Sequence, residues 1–148
     1  MKALFCWLLM VCAAVAQVDR PTLGMTEAQA RERFGPPLRE HPDPVAEKVL
    51  AYEKGEFRIL ATVMKGRIVS VLYGRLDGRP LHEIEGRSLR QRNAPEARWS
   101  FDHELDAWMT SDGKLLSSYG EAQRTMTVST VEYVSALARA ATRKLDGL

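Results

Sequence analysis

Residues 48–76, KVLAYEKGEFRILATVMKGRIVSVLYGRL, decide the fold. β-Branched and aromatic residues crowd into three runs separated by Gly55 and Gly66, which reads as three consecutive strands. Lys65-Gly66 sits where a two-residue hairpin turn needs positive φ. Such a turn sets Val63 against Ile68, Ala61 against Ser70 and Ile59 against Leu72. Leu60, Thr62, Val69 and Val71 then occupy the opposite face. Both faces are largely apolar, so this hairpin is expected in the middle of a sheet, covered on both sides.

Upstream, LGMTEAQARERFGPPL (residues 23–38) is one short helix with punctuation at both ends. Thr26 is an N-cap, and Gln29 three residues on completes a capping box. Met25 can staple onto Ala30, and Phe34 lies one turn beyond on the same side. Gly35 supplies a left-handed C′ position and Pro36-Pro37 stops the helix, giving a helix over about 27–34. REHPDPVAE then reads as a loop.

Downstream, GRLDGRP is a turn and a unit boundary. Pro80 suits the first position of a second helix, PLHEIEGRSLRQRN, with Leu81, Ile84 and Leu89 inward. Gly86 weakens that helix by about 1 kcal/mol relative to alanine. RWSFDH, LDAWMTSDGKLLSSYG and RTMTVST follow as strands, with Asp112-Gly113 as a hairpin signal. Tyr52 and Trp99 stand 47 residues apart, and so do Lys65-Gly66 and Asp112-Gly113. A degenerate internal repeat of one helix and three strands explains both spacings, with units at about 22–76 and 80–148.

The chain closes on STVEYVSALARAATRKLDGL, where Val131, Val134, Leu137, Ala138, Ala141 and Leu145 recur at helical spacing. Ser129 and Glu132 offer a capping box, and Arg143 and Lys144 suit the helix C-terminus. The apolar stripe is expected to pack on the core. The fold class is therefore α+β, built of tandem helix-plus-three-strand units with a C-terminal helix.

The first sixteen residues, MKALFCWLLMVCAAVA, stand apart. Lys2, an apolar run and small residues at Ala14 and Ala16 form a secretory signal with cleavage after Ala16. The run is shorter than the roughly 20 apolar residues that span a bilayer. Residues 17–148 would then form a single domain, periplasmic or secreted. Both cysteines, Cys6 and Cys12, lie within the signal, so the mature chain has no disulfide or thiolate chemistry. Lipidation at Cys12 fits poorly, because Val11 precedes it where the processing peptidase prefers a small residue. Without Lys2, 20 Lys+Arg balance 19 Asp+Glu, which argues against nucleic acid as partner.

No G-x-S-x-G, H-E-x-x-H or phosphate-cradling glycine loop is present. His41, His82 and His103 are isolated, and neither catalytic residues nor a cofactor or metal is expected. In FDHELD, Asp102, Glu104 and Asp106 alternate, so on a strand they would share one face with His103 opposite. Three such carboxylates can hold Ca²⁺, and a solvated hairpin end is the plainer reading. Under the 47-residue offset, Ile59, Ala61, Val63, Ser70 and Leu72 become Asp106, Trp108, Thr110, Ser117 and Tyr119. An aliphatic face thus becomes aromatic and hydroxylic, which suits a partner-binding surface. The competing reading places Trp108 and Tyr119 in the core with hydrogen-bonded polar atoms.

Gly24-Met25-Thr26, Gln29, Ala30, Phe34-Gly35 and Pro37 resemble the opening helix of the SmpA/OmlA (BamE) domain. Two such units in tandem are similar in plan to the β-lactamase inhibitor protein fold. The resemblance implies a small α+β envelope protein that works by binding other proteins, with the helices packed on one face of an antiparallel sheet. The expectation is a non-enzymatic exported protein-binding module. A secreted inhibitor of a hydrolase is one alternative, and a small hydrolase or metal-binding protein is another.

Overall fold

A computed structural model of the protein describes residues 20–146; the signal segment read at 1–16 lies outside them. The elements run α1 (Glu27–Phe34), β1 (Arg39–His41), β2 (Lys48–Lys54), β3 (Phe57–Met64), β4 (Arg67–Arg75), α2 (Glu83–Asn93), β5 (Trp99–Asp102), β6 (Ala107–Thr110), β7 (Leu115–Gly120), β8 (Thr125–Thr130) and α3 (Val131–Asp146). All eight strands form one antiparallel sheet in the order β1-β2-β3-β4-β8-β7-β6-β5. The β3–β4 hairpin lies at its centre, as its two apolar faces require.

Lys65 and Gly66 both take positive φ, 53° and 70°, which closes the tight turn. The register beyond that turn differs from the simple expectation. Val63 still faces Ile68, but a bulge at Val69 then sets Thr62 against Ser70, Ala61 against Val71 and Ile59 against Tyr73. The extra residue turns Val71 and Tyr73 towards the front of the sheet, beside Ile59, Ala61 and Val63, and Leu72 to the back.

The front carries the core. Leu50, Tyr52, Ile59, Ala61, Val71, Tyr73, Met126 and Val128 pack there beneath Met25 and Ala30 around α1 and Leu89 of α2. Thr26 caps α1 through a 3.1 Å bond from the Gln29 amide, and the Gln29 side chain accepts from the Thr26 amide at 2.9 Å. Gly35 has φ 79° and ψ −172°, an extended mirror-image conformation essentially confined to glycine, not the left-handed helical one expected. Thr26→Ala should therefore lower stability by about 1 kcal/mol. Gly35→Val should lower it by more, because a β-branched residue resists positive φ. Urea midpoints check both, and a neutral Gly35→Val would remove Gly35 from its role in ending the helix.

Four expectations are corrected. Part of the loop REHPDPVAE is an edge strand, β1, paired with β2. α2 starts at Glu83, with His82 as its cap and Pro80 outside it, so Ile84 points to solvent at 80% exposure. α3 follows β8 directly, and its first-turn cap is Thr130, whose Oγ1 accepts from the Tyr133 amide at 3.3 Å. Ser129 is instead buried in β8, with its hydroxyl 2.7 Å from that of Ser70.

The helices also do not share one face. Tyr133 of α3 interacts with Thr62, on the back of β3, and donates to Asp43 Oδ2 at 2.7 Å. α1 and α2 cover the front, and the first turn of α3 covers the back. Val134 and Leu137 are half-buried, but Ala138, Ala141 and Leu145 are exposed, so the stripe packs over only part of its length.

Burial and the Asp43 bond push the Tyr133 hydroxyl up to about 12, above the 10.0 of an unperturbed tyrosine. The folded state thus holds this proton more tightly than the unfolded chain. The stabilisation is complete below pH about 10 and is lost as pH rises through about 12. Unfolding free energy should decline across that window in the wild type, and less steeply in Tyr133→Phe. Equal slopes would remove Tyr133 as the group responsible.

Candidate functional site

Alternation on β6 and β7 places Trp108, Thr110, Ser117 and Tyr119 on the front of the sheet, and Asp106 ends the turn that leads into β6. Trp108 pairs across to Ser117, and Ser117 to Val128, which faces the core. The 47-residue correspondence holds for this facing along β3 and β6. It does not hold along β4 and β7, because the bulge at Val69 sends Ser70 and Leu72 to the back while Ser117 and Tyr119 stay in front.

α2 crosses this part of the sheet, and between them lies a cleft of about 400 Å³. Leu81, His82, Glu83, Gly86 and Arg90 line one wall, and Phe101, Trp108, Ser117, Tyr119 and Met126 the other. The volume falls within the roughly 300–1,000 Å³ of ligand-binding clefts. Four of the five residues singled out in the sequence come together here, with Asp106 on the rim. Thr110 does not join them. It is buried, and its hydroxyl donates to Asp112 Oδ1 at 2.7 Å and accepts from the Leu115 amide at 3.1 Å, holding the β6–β7 turn.

Aromatic rings define the cleft. Phe101 meets Trp108 edge-on at 5.6 Å between centroids. Phe101 and Tyr119 stay about two-fifths exposed, while Trp108 is half-buried. Trp108 thus combines both readings of the sequence: one side packs, and the other lines an accessible hollow. The Arg90 guanidinium lies 4.3 Å over its ring. Burial pushes the Arg90 guanidinium below the ordinary arginine value.

Sequence reasoning missed Arg90 and Phe101. The signal that pointed to Arg90 is Gly86, one turn earlier in the same helix. A Cβ built on Gly86 would meet Met126 Sδ at 3.4 Å and Arg90 Nη1 at 3.7 Å. The glycine lets α2 lie close over the sheet.

FDHELD does not form a three-carboxylate strand face. Asp102 ends β5, and its Oδ1 accepts from the amides of Glu104 and Leu105 at 2.9 and 3.1 Å, building the turn into β6. Asp106 takes φ 49° at the end of that turn. Among the described residues, no group of three His, Cys, Asp or Glu is placed to hold a metal ion. A larger hollow, about 620 Å³, runs along the β1 edge. Its Leu38, Arg39, His41, Glu53 and Arg58 are exposed, and Tyr52 is the buried residue in its lining. Among the described residues, no helix is long and apolar enough to cross a membrane.

No protein-family model, curated protein or solved structure matches the chain.

Proposed function

We propose that the chain is a non-enzymatic protein-binding module of the cell envelope or secreted space, of the SmpA/OmlA kind, and that it takes its partner in the cleft between α2 and β5–β8. The observation that carries the reading is the exposure of Phe101 and Tyr119 beside half-buried Trp108 in one cleft. Aromatic side chains of this kind supply large contact area with few torsions to immobilise.

Two units, about 22–76 and 80–148, make the plan intelligible. Each begins with a helix, and the turns 47 residues apart fall at β3–β4 and β6–β7. β8 has no counterpart among the strands of the first unit under that offset. Export rests on the Ala14–Ala16 pattern. Intact mass of the exported protein should begin at Gln17 or its cyclised form, and a diacylglyceryl group on Cys12 would sink that assignment.

Binding is tested with immobilised mature protein in envelope extract, beside a Phe101→Ala/Tyr119→Ala variant. A partner held by the wild type and lost from the folded variant supports the reading. Equal capture by both would overturn it. Assaying the captured partner for hydrolase activity separates the inhibitor alternative from a general envelope module.

A further inference from the structure

Arg90 and Ser117 line the cleft, and among the described residues neither side chain has a hydrogen bond or an ion pair. Arg90 is only 8% exposed, and among the described residues its guanidinium has neither a hydrogen bond nor an ion pair. Its guanidinium lies over the face of Trp108. Ser117 is 1% exposed, and its Oγ is buried with no hydrogen-bond partner. A largely buried guanidinium with no ion pair is unfavourable, and an unpaired buried hydroxyl adds to that.

We infer that Arg90 and Ser117 form the floor of a carboxylate site that takes the C-terminal carboxylate of a partner polypeptide. The planar fork of an arginine matches the two oxygens of a carboxylate, and the Ser117 hydroxyl can donate to the same group. Phe101, Trp108 and Tyr119 then receive the apolar side chains that precede it. Glu83, Asp106 and Glu121 stand exposed around the mouth, and among the described residues Arg90 is the one arginine or lysine in the lining. The rim opposes every anion, and a phosphate dianion or a polyanion more strongly than the single charge that Arg90 can balance. The polypeptide origin of the carboxylate rests on the binding-module reading; the carboxylate chemistry rests on Arg90 and Ser117.

The test uses the purified protein and an acetylated tetrapeptide ending in phenylalanine, once with a free carboxylate and once amidated. Tryptophan fluorescence and the arginine Nε–Hε resonances follow binding, with 3-phenylpropanoate as a third probe. The acid peptide should bind at least tenfold more tightly than its amide. Arg90→Leu should keep the fold, shown by its circular dichroism and urea midpoint, and abolish that preference. Arg90→Lys should restore part of it, and Ser117→Ala should weaken the acid peptide several-fold. If Arg90→Leu fails to fold, Ser117→Ala and the Arg90 resonance shift on titration decide the matter in the wild-type background. Equal binding of acid and amide would overturn the carboxylate site while leaving the binding-module reading intact. Arg90-dependent binding of 3-phenylpropanoate alone would overturn the polypeptide assignment and count against that reading. No Arg90-dependent binding of any probe overturns the inference entirely.

Discussion

Tyr73→Ala should lower the stability of this protein by roughly 3–5 kcal/mol, the range for large buried aromatics. A typical total is only about 5–15 kcal/mol, so the variant should be close to unfolding at ordinary temperature. Tyr73 is 1% exposed in the middle of the front face. Its hydroxyl also joins a buried polar cluster, accepting from Asn93 Nδ2 at 2.8 Å and donating to Pro21 O at 3.3 Å. Asn93 in turn accepts from the Leu23 amide at 2.9 Å and donates to Leu89 O at 2.8 Å. The cluster ties the segment before α1, strand β4 and the end of α2 into one body. Tyr73→Phe keeps the ring and should cost about 1–2 kcal/mol for the stranded partners. Urea midpoints of the two variants separate packing from hydrogen bonding. A neutral Tyr73→Ala would mean that the bulge at Val69 does not turn Tyr73 into the core.

The second large effect concerns the cleft and divides its two exposed-side aromatics. Trp108→Ala should cost about 2–3 kcal/mol of stability, less than a fully buried tryptophan, since one side of the ring already faces the hollow. It also removes the stack beneath Arg90. Tyr119→Ala should stay within about 0.5 kcal/mol of the wild type, as surface substitutions usually do. Its loss should appear in binding, at about 2 kcal/mol or more, some thirtyfold in affinity. Urea unfolding and partner affinity of each variant check the pair. Severe destabilisation in both would return Trp108 and Tyr119 to the core and end the recognition-face account.

How far these features could be read in advance follows the range of the interactions that set them. α1 was legible because Thr26, Gln29, Gly35 and Pro36 act within a single turn of chain. The β3–β4 hairpin was legible because Lys65-Gly66 and alternation are equally local. The register beyond Val69 was not, since the bulge answers to the neighbours of β4 on both sides of the sheet. Ile84 looked inward on helical periodicity alone, but the crossing of α2 over β8, set by Gly86 against Met126, rotates it into solvent. Periodicity marked an apolar stripe in α3, yet the sheet meets only its first turns. In the cleft, alternation was enough to gather Trp108, Ser117 and Tyr119. Arg90 was missed, because a charged helix residue is ordinarily solvated and Gly86 alone marks the close packing that buries this one.

The central claim, that the partner is received between α2 and β5–β8, is tested most directly by hydrogen–deuterium exchange of the protein alone and with its captured partner. The account predicts slowed exchange confined to residues 82–90, 101–108 and 117–121. Protection along the β1 edge or the exposed half of α3, with the cleft unchanged, would contradict it.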